Sequence, residues 1–292
     1  MKDSTYSIKD LENLTGIKAH TIRIWEQRYE LLNPKRTETN IRYYDDTDLK
    51  KILNVNLLYN NGLKISKISK LSEDEIISEA KNLMEADDSG NLAIEELMQA
   101  ILELDEQKTQ EILEKNYQQK GIITFYTDLV SPSLVKIGQL WQLNSLAISN
   151  EHFYSNLLRA FILGKTNDLT PKRDKNKKIL LFLHEIEDHE LTLLFYQYLL
   201  KDMGYDCVYL GANTPIEDVE STYFQINPDM VLTSMITNIS SKKFKHIMDQ
   251  LLDFIPNNKL CISGRNVITY DNLVPSDVKT ITRFNHFVEI FS

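Results

Sequence analysis

Apolar strand-like runs alternate with amphipathic helical segments from residue 179 to residue 284, and this alternation constrains the fold more than any other feature of the chain. The expected strands lie at 179–185, 206–211, 229–235, 259–264 and 278–284. The expected helices lie at about 190–203, 215–225 and 240–254. Strands that alternate with helices in this way predict a parallel sheet covered by helices on both faces.

Three further segments precede this region. Residues 1–75 suggest short helices around one loop rich in Asn, Thr and Arg, and residues 76–165 have long helical periodicity with almost no Gly or Pro. Residues 166–178 are polar and contain a proline, which is typical of a linker. We therefore expect a small helical head, a helical bundle, a linker and an α/β domain at 179–292.

Charge is distributed unevenly along the chain. The 33 basic and 42 acidic residues give a net charge of −9. Residues 1–70 contain 13 basic and 9 acidic residues, hence +4, which leaves −13 for the other 222 residues. A basic head on an acidic body indicates a nucleic-acid contact confined to the head. On charge alone, chance variation in composition stays open as the alternative.

Composition narrows the class of protein. The chain is 42% apolar and 26% charged, which is too apolar for disorder. No apolar run approaches the length of a membrane span, and the N-terminus lacks the pattern of a signal peptide. The two cysteines, Cys207 and Cys261, lie in different predicted strands, so neither a disulfide framework nor a zinc site is indicated. We expect a cytoplasmic protein without a membrane partner.

Residues 6–29 have the spacing of a helix-turn-helix. The first helix has apolar positions at Ile8, Leu11 and Leu14, and Gly16 lies at the turn. The second helix has inward positions at Ile22 and Trp25. Pro34 is expected to end the second helix, and residues 33–44 to form a β-hairpin wing. Two more helices are expected at 46–59 and about 64–71.

Polar side chains on the second helix and the wing are the candidates for DNA contact. They are His20, Thr21, Arg23, Gln27 and Arg28 on the helix, and Arg36, Asn40, Arg42 and Tyr43 on the wing. Guanidinium groups and tyrosine hydroxyls on a wing suit phosphates, whereas the residues of the helix are available for both bases and phosphates.

The order of the motifs in the head is more specific than the helix-turn-helix alone. A helix-turn-helix, a T-x-R-x-W/Y-E-x-R stretch, a wing ending in RYY and a D-x-x-D-L helix together resemble the MerR family of transcription regulators, over about residues 5–72. Dimers of that family usually pair through a long coiled coil after the head. Residues 74–120 lack a sustained heptad pattern, so the body of this chain differs from that of a simple member.

Polar residues follow three of the predicted strands. Glu187 and His189 lie in the loop after the first strand, Ser234 lies near the end of the third, and Ser263 and Gly264 end the fourth. Ligands of open parallel sheets bind beyond the carboxyl ends of the strands, so these residues are expected to converge on one pocket. Taken alone, a histidine in such a loop is more often a solvated surface group.

These spacings resemble the cobalamin-binding fold, whose pattern is DxHxxG, SxL and GG, over about residues 177–290. The preceding helical segment, in which Trp141 is followed after nine residues by Glu151 and His152, looks like the matching cobalamin cap domain. Head, cap and binding domain in this order resemble the cobalamin-dependent MerR-type repressors of the CarA/CarH/LitR group, which control carotenoid and other light-response genes. The resemblance implies a multidomain protein with an all-α winged helix-turn-helix head, a helical-bundle cap and a doubly wound, flavodoxin-like α/β domain.

The same resemblance implies a role for each residue of the pocket. The residues concerned are Trp141, Glu151, His152, Glu187, His189, Thr192, Ser234, Ser263 and Gly264. His189 would be the lower axial ligand of cobalt, and Glu187 would orient its ring through the other nitrogen. Ser234 would bond the buried nucleotide tail of the cofactor. Trp141 and Glu151 would cover the upper face of adenosylcobalamin or methylcobalamin.

Three departures from the family pattern bear on the pocket. Thr192 replaces the glycine of DxHxxG, and Ser263 replaces the first glycine of GG, or Arg265 the second if the alignment is shifted by one. Gln142 follows Trp141 where the photoreceptor subgroup has the histidine that takes the upper axial site after light. Amide groups are poor ligands of cobalt, and His152 is a nearby substitute in sequence only.

The sequence predicts a repressor that binds a double-stranded DNA operator as a homo-oligomer, a dimer or a tetramer, under the control of cobalamin. The first alternative is a MerR-type regulator with a degenerate pocket that responds to a protein partner such as an antirepressor. The second is a corrinoid enzyme or methyl carrier. The basic head and the lack of an acid–base pair or nucleophile beside His189 argue against catalysis.

Overall fold

The computed structural model describes residues 6–37, 40–85, 92–142, 146–170 and 175–292. The chain divides into two units, Met1–Leu157 and Leu158–Ser292. The first unit contains helices and a two-stranded hairpin, and the second contains a five-stranded parallel sheet with helices. Among the described residues, no helix is both long and apolar enough to cross a membrane.

The first unit begins with the predicted winged helix-turn-helix. Its elements are α1 (Ile8–Thr15), α2 (Ala19–Tyr29), β1 (Lys35–Arg36), β2 (Arg42–Tyr43), α3 (Asp46–Asn60), α4 (Ile65–Ile68) and α5 (Glu73–Glu85). Ser7 and Asp10 cap α1 reciprocally, and Gly16 ends it at φ +77°, a conformation that favours glycine. Ile22 and Trp25 are buried, as predicted. The wing strands pair antiparallel, with Arg36 opposite Arg42.

The end of the second helix differs from the prediction. We expected Pro34 to end it, but α2 ends at Tyr29. Glu30 follows in the left-handed conformation, at φ +50°, and its N–H donates to the carbonyl of Glu26. The helix is therefore closed by its own C-cap, several residues before the proline. The helix expected at about 64–71 exists, but only as the single turn of α4.

The rest of the first unit is the expected helical bundle. Its elements are α6 (Leu92–Leu102), α7 (Glu106–Phe125), a π-helical turn (Tyr126–Val130), α8 (Ser131–Gln142) and the first part of α9 (Ile148–Asn167), which continues into the second unit. Tyr154 is fully buried and its hydroxyl lies 2.7 Å from that of Ser133. Asn150 donates to the carbonyl of Ile101 at 2.8 Å, which joins the start of α9 to the end of α6.

The second unit is the predicted doubly wound α/β domain. Its strands are β3 (Lys178–His184), β4 (Asp206–Thr214), β5 (Met230–Ser234), β6 (Leu260–Ser263) and β7 (Lys279–Ile281). Its helices after α9 are α10 (Glu190–Asp202), α11 (Ile216–Ile226), α12 (Ser241–Leu252), α13 (Arg265–Thr269) and α14 (Phe284–Phe291). The strands are parallel in the order β4-β3-β5-β6-β7. This is the flavodoxin-like order, with its topological switch point between β3 and β5.

The two faces of the sheet are covered by different helices. Leu180 and Phe182 of β3 join one apolar core with residues of α11 and α12, such as Val219 and Phe244. Side chains alternate along a strand, so Ser234 and Ser263, which are paired in register, lie on the opposite face. Helix α10 contacts β3, β4 and β5, and its residues do not belong to the first core.

The C-terminal segment was predicted only in part. The expected strand at 278–284 ends at Ile281, and α14 begins at Phe284, where no helix was predicted. Phe284, Phe287 and Phe291 follow at helical spacing, and the rings of Phe287 and Phe291 lie 4.9 Å apart. Helix α9 ends at Asn167, inside the predicted linker, and residues 171–174 of that linker lie outside the described residues.

Candidate functional site

A buried carboxylate organises the loop between β3 and α10. The Glu187 side chain is 3% exposed. One of its oxygens accepts from the backbone N–H groups of Ile236 and Thr237, at 2.6 and 2.7 Å. The other accepts from the Thr237 hydroxyl at 2.9 Å and lies 2.5 Å from Nδ1 of His189. Because Ile236 and Thr237 follow β5, these bonds span the switch point of the sheet.

The hydrogen bonds keep this carboxylate ionised. Burial opposes ionisation of Glu187, but the bonds from His189 and Thr237 outweigh it and lower the pKa to about 2. A carboxylate only accepts hydrogen bonds, so Nδ1 of His189 carries the hydrogen between them. In the neutral ring the lone pair then lies on Nε2, the nitrogen available to a metal. The His189 side chain is 56% exposed.

The residues on both sides of His189 are anchored to the neighbouring strand β4. The amide of Asn213 donates to the Asp188 carboxylate at 2.6 Å. The hydroxyl of Tyr209 donates to Glu190 at 2.7 Å, and Arg159 of α9 pairs with the other oxygen of Glu190 at 2.8 Å. Burial and the bond to Glu190 raise the pKa of the Tyr209 hydroxyl. Anchors of this kind reduce the freedom of the histidine between them.

Ser234 and Ser263 lie side by side at the carboxyl ends of β5 and β6, and both are buried. The Ser263 hydroxyl donates to the Thr233 carbonyl at 3.4 Å, within the sheet. The Ser234 hydroxyl has no hydrogen-bond partner among the residues that the structure describes. A buried hydroxyl without a partner is unfavourable, so Ser234 fits a group that hydrogen-bonds there, such as the nucleotide tail of cobalamin.

Gly264 is required by the backbone itself. Its φ is +102°, and a Cβ built on it would lie 2.5 Å from the carbonyl oxygen of Met235. Asn266 also contacts this carbonyl and donates to the Thr237 carbonyl at 2.7 Å. The turn after β6 thus supports the segment that donates to Glu187. Asn266 and Thr237 were not among the predicted site residues, although each follows one of the predicted serines by three residues.

The predicted cap residues lie in the first unit. Trp141 packs against the apolar core of the head, and Nζ of Lys50 lies 5.1 Å from the centre of its ring. Glu151 and His152 form a pair, 2.7 Å between Oε2 and Nδ1, and the His152 side chain is 65% exposed. Gln142 is the last residue of α8. Cobalamin contacts of these residues stay a prediction, as does the effect of Thr192, which lies half-buried in the first turn of α10.

The candidate DNA-binding residues lie on one surface of α2 and on the wing. His20, Arg23, Gln27 and Arg28 are exposed on α2, and Thr21 is half-buried beside them. On the wing, the guanidinium of Arg36 donates to the Asn40 side chain at 2.6 Å. Asn40 itself adopts φ +64°, which asparagine tolerates in a turn. The described wing therefore presents Arg36, while residues 38–39 lie outside the described part of the chain.

Arg42 has a partner within the head. Its Nε lies 3.5 Å from a carboxylate oxygen of buried Glu26, and the hydroxyl of Tyr44 donates to the same carboxylate. Tyr44 is fully buried, and burial together with the bond to Glu26 raises its pKa. Arg42 therefore lies against the buried carboxylate of Glu26, and a contact of its half-buried side chain with a phosphate stays a prediction. Tyr43 beside it is half-buried.

Within the described residues, no three His, Cys, Asp or Glu side chains gather into a metal site. A cobalt ion bound by a single protein nitrogen, Nε2 of His189, would not require such a cluster of side chains.

Comparison with protein families identifies two segments. Residues 6–75 match the model described as the MerR HTH family regulatory protein, and residues 93–162 match a model described as a B12 binding domain. The first match covers the winged helix-turn-helix. The second covers α6 to most of α9, the segment predicted to be a cobalamin cap.

Two curated relatives align with most of the chain. The HTH-type transcriptional repressor CarH of Myxococcus xanthus is 25% identical over 267 residues, which cover 88% of this chain and 87% of CarH. The HTH-type transcriptional repressor CarA of the same organism is 25% identical over 252 residues, 85% of this chain and 82% of CarA.

Among solved structures, the monomethylamine corrinoid protein of Methanosarcina barkeri has a similar fold. It matches with a TM-score of 0.53 and 16% sequence identity, covering 66% of this chain and 94% of that protein. At this identity the likeness concerns the fold alone.

Proposed function

We propose that cobalamin controls the binding of this chain to an operator. The premise is that the chain is a MerR-type regulator with a B12-binding domain, homologous to the repressors CarH and CarA. In this proposal the chain represses transcription, and carotenoid or other light-response genes are its targets. The head docks α2 in the major groove and the wing on phosphates. Operator binding requires a symmetric homo-oligomer, a dimer or tetramer, because one head offers few base contacts. The protein works in the cytoplasm.

The arrangement of Glu187 and His189 carries the proposal. When bound, cobalamin would supply a cobalt ion that carries an adenosyl or methyl group, and His189 is the residue that would hold this ion. The ionised Glu187 fixes the ring of His189 so that Nε2 can bind a metal, and the Asn213 and Tyr209 bonds hold the loop. The partnerless hydroxyl of Ser234 suits the tail. If His189 were only a solvated surface residue, neither the buried carboxylate bonded to its ring nor the partnerless hydroxyl of Ser234 would be explained.

A regulatory role is favoured over an enzymatic one. The aligned relatives are transcriptional repressors, and the alignment includes the head. The corrinoid protein of similar fold supports the sheet architecture alone. We therefore propose that the second unit senses a ligand and does not turn over a substrate.

The second candidate is a ligand-free regulator that answers to an antirepressor protein. Thr192 favours it, because a β-branched side chain replaces the family glycine one turn after His189. Ser263 favours it less than the sequence suggested, since its hydroxyl is used within the sheet. Gln142 bears on the first candidate alone, because an amide would be a poor ligand for the cobalt of a bound cobalamin.

Selection of an operator tests the regulatory function. The full chain is used to select binding sites from random double-stranded DNA, and affinity is then measured with and without adenosylcobalamin in the dark. We expect cobalamin to change the affinity by about 5–150-fold, the usual range of coupling between two sites. The change should vanish in His189→Ala and persist in His246→Ala, a matched control at an exposed position of α12.

Two outcomes separate the candidates. Sequence-specific binding that ignores cobalamin in the wild type would favour the ligand-free regulator. Absence of any sequence-specific binding would contradict both.

Arg36→Ala should weaken binding to all sequences alike and reduce the salt slope by about one unit, if Arg36 contacts a phosphate. Light scattering that shows a monomer with and without cobalamin, and one-to-one binding to DNA, would exclude the symmetric assembly.

A further inference from the structure

One aliphatic side chain interrupts the polar surface of α2. The residues exposed on this surface are His20, Arg23, Ile24, Gln27 and Arg28. Ile24 is 47% exposed. The opposite side of the helix supplies the core of the head through Ile22 and Trp25, which are buried. The core is therefore complete without Ile24.

The surroundings of Ile24 distinguish it from an ordinary exposed isoleucine. Single aliphatic side chains are common on protein surfaces and need no explanation by themselves. Ile24, however, has His20 one turn before it and Gln27 and Arg28 one turn after it, on the same side of the helix. These three are donors that suit base edges or phosphates. An apolar group in the middle of them is suited to an apolar feature of the DNA.

The major groove offers one such feature. Among the base edges exposed there, only thymine carries a methyl group, at C5, and aliphatic side chains contact it. We infer that Ile24 reads a thymine methyl group in each half of the operator, and so determines specificity at that base pair. The inference rests on the proposed docking of α2 in the major groove.

Deoxyuridine scanning tests this inference. Each thymine in one half of the selected operator is replaced by deoxyuridine, which removes the methyl group and leaves the hydrogen-bonding groups unchanged. For the wild type we expect about a fourfold loss of affinity at one position or two adjacent ones, the ratio that corresponds to about 0.8 kcal/mol for one buried methyl group. The remaining thymines should show ratios close to one.

Variants assign the effect to the side chain. In Ile24→Ala the affinity ratio of thymine to uridine at the sensitive position should fall to about one, and Ile24→Val should retain part of it. Ile41→Ala is the matched control, because Ile41 is an exposed isoleucine that belongs to the wing and not to α2. It should leave that ratio unchanged. Both isoleucines are exposed, so circular dichroism should show that the variants fold like the wild type.

The outcomes distinguish this inference from the function on which it rests. If the wild type binds its operator but no thymine shows a ratio above about two, the inference is wrong and the proposed function stands. It is also wrong if Ile24→Ala keeps the full ratio. If the wild type binds no sequence specifically, the docking of α2 fails and the inference fails with it.

Discussion

Replacing Glu187 by glutamine should destabilise the second unit in a manner that depends on pH. Both oxygens of the carboxylate accept hydrogen bonds, from the N–H groups of Ile236 and Thr237 on one side and from His189 and the Thr237 hydroxyl on the other. A glutamine amide would turn an NH₂ group, itself a donor, towards one of these sets of donors. The variant would therefore lose the charge and some of the bonds together.

The magnitude follows from the pKa. Ionisation of Glu187 is favoured in the fold, where its pKa falls from 4.5 to about 2. A pKa shift of this size corresponds to about 3 kcal/mol of stability. Because the folded pKa is the lower one, this contribution is complete above about pH 4.5 and is lost as the pH falls towards 2. Glu187→Gln should thus be less stable than the wild type by about 3 kcal/mol at pH 7, and the difference should shrink below pH 4.5.

Urea unfolding followed by circular dichroism tests this expectation. Both tryptophans, Trp25 and Trp141, lie in the first unit, so tryptophan fluorescence would report the unfolding of that unit and not of the second. Glu185→Gln is the matched control, because Glu185 is exposed two residues away, and it should change stability by less than about 0.5 kcal/mol. A difference between wild type and Glu187→Gln that is the same at pH 7 and pH 3 would refute the reasoning.

Three other substitutions test separate parts of the structure. Arg42→Ala should lower the stability of the head by about 1–2 kcal/mol, because Glu26 keeps a buried charge without its cation; unchanged thermal unfolding of the first unit would contradict this. Gly264→Ala should cost about 2–4 kcal/mol, through its positive φ and the clash with Met235, and an unaltered melting temperature would refute the clash. Thr192→Gly should tighten cobalamin binding roughly 10–100-fold in a spectroscopic titration, whereas equal affinities would show that Thr192 does not obstruct the site.

The order of elements could be predicted from the sequence because the apolar patterns are local. The strands β3 to β6 and the helices α10 to α12 could each be located to within a few residues, since the apolar runs of the strands are short and the helical segments between them are longer. The segment from Val278 to Phe284 was harder to assign to a strand or a helix. Its first half is a strand and its last residue begins α14, and only the packing of Phe287 and Phe291 in the fold decides between the two.

The contact between Glu187 and His189 could be predicted from the sequence, whereas the groups that hold Glu187 in place could not. The spacing of Glu187, His189 and Ser234 pointed to the pocket, and the bond between Glu187 and His189 agrees with the expected orientation of the ring. The donors from Ile236 and Thr237 are backbone groups that the sequence does not mark, because any residue except proline carries an N–H.

The head provides a similar contrast. Arg42 was assigned to phosphates because it is basic and lies on the wing. Its pairing with Glu26 joins residues far apart in sequence, and such a contact becomes apparent only after the hairpin has been placed on α2. The packing of Trp141 against the head, with Lys50 over its ring, likewise has no local signature.

The visible absorption spectrum of bound cobalamin tests the central claim most directly. The full chain is mixed in the dark with adenosylcobalamin or methylcobalamin, and the spectrum is compared with those of His189→Ala and His246→Ala and then recorded again after illumination. We predict a spectral shift in the wild type and in His246→Ala that is absent in His189→Ala, with release of the cleaved ligand after light because Gln142 cannot hold the cobalt. An unshifted wild-type spectrum at high cobalamin, or the same shift in His189→Ala, would contradict the account.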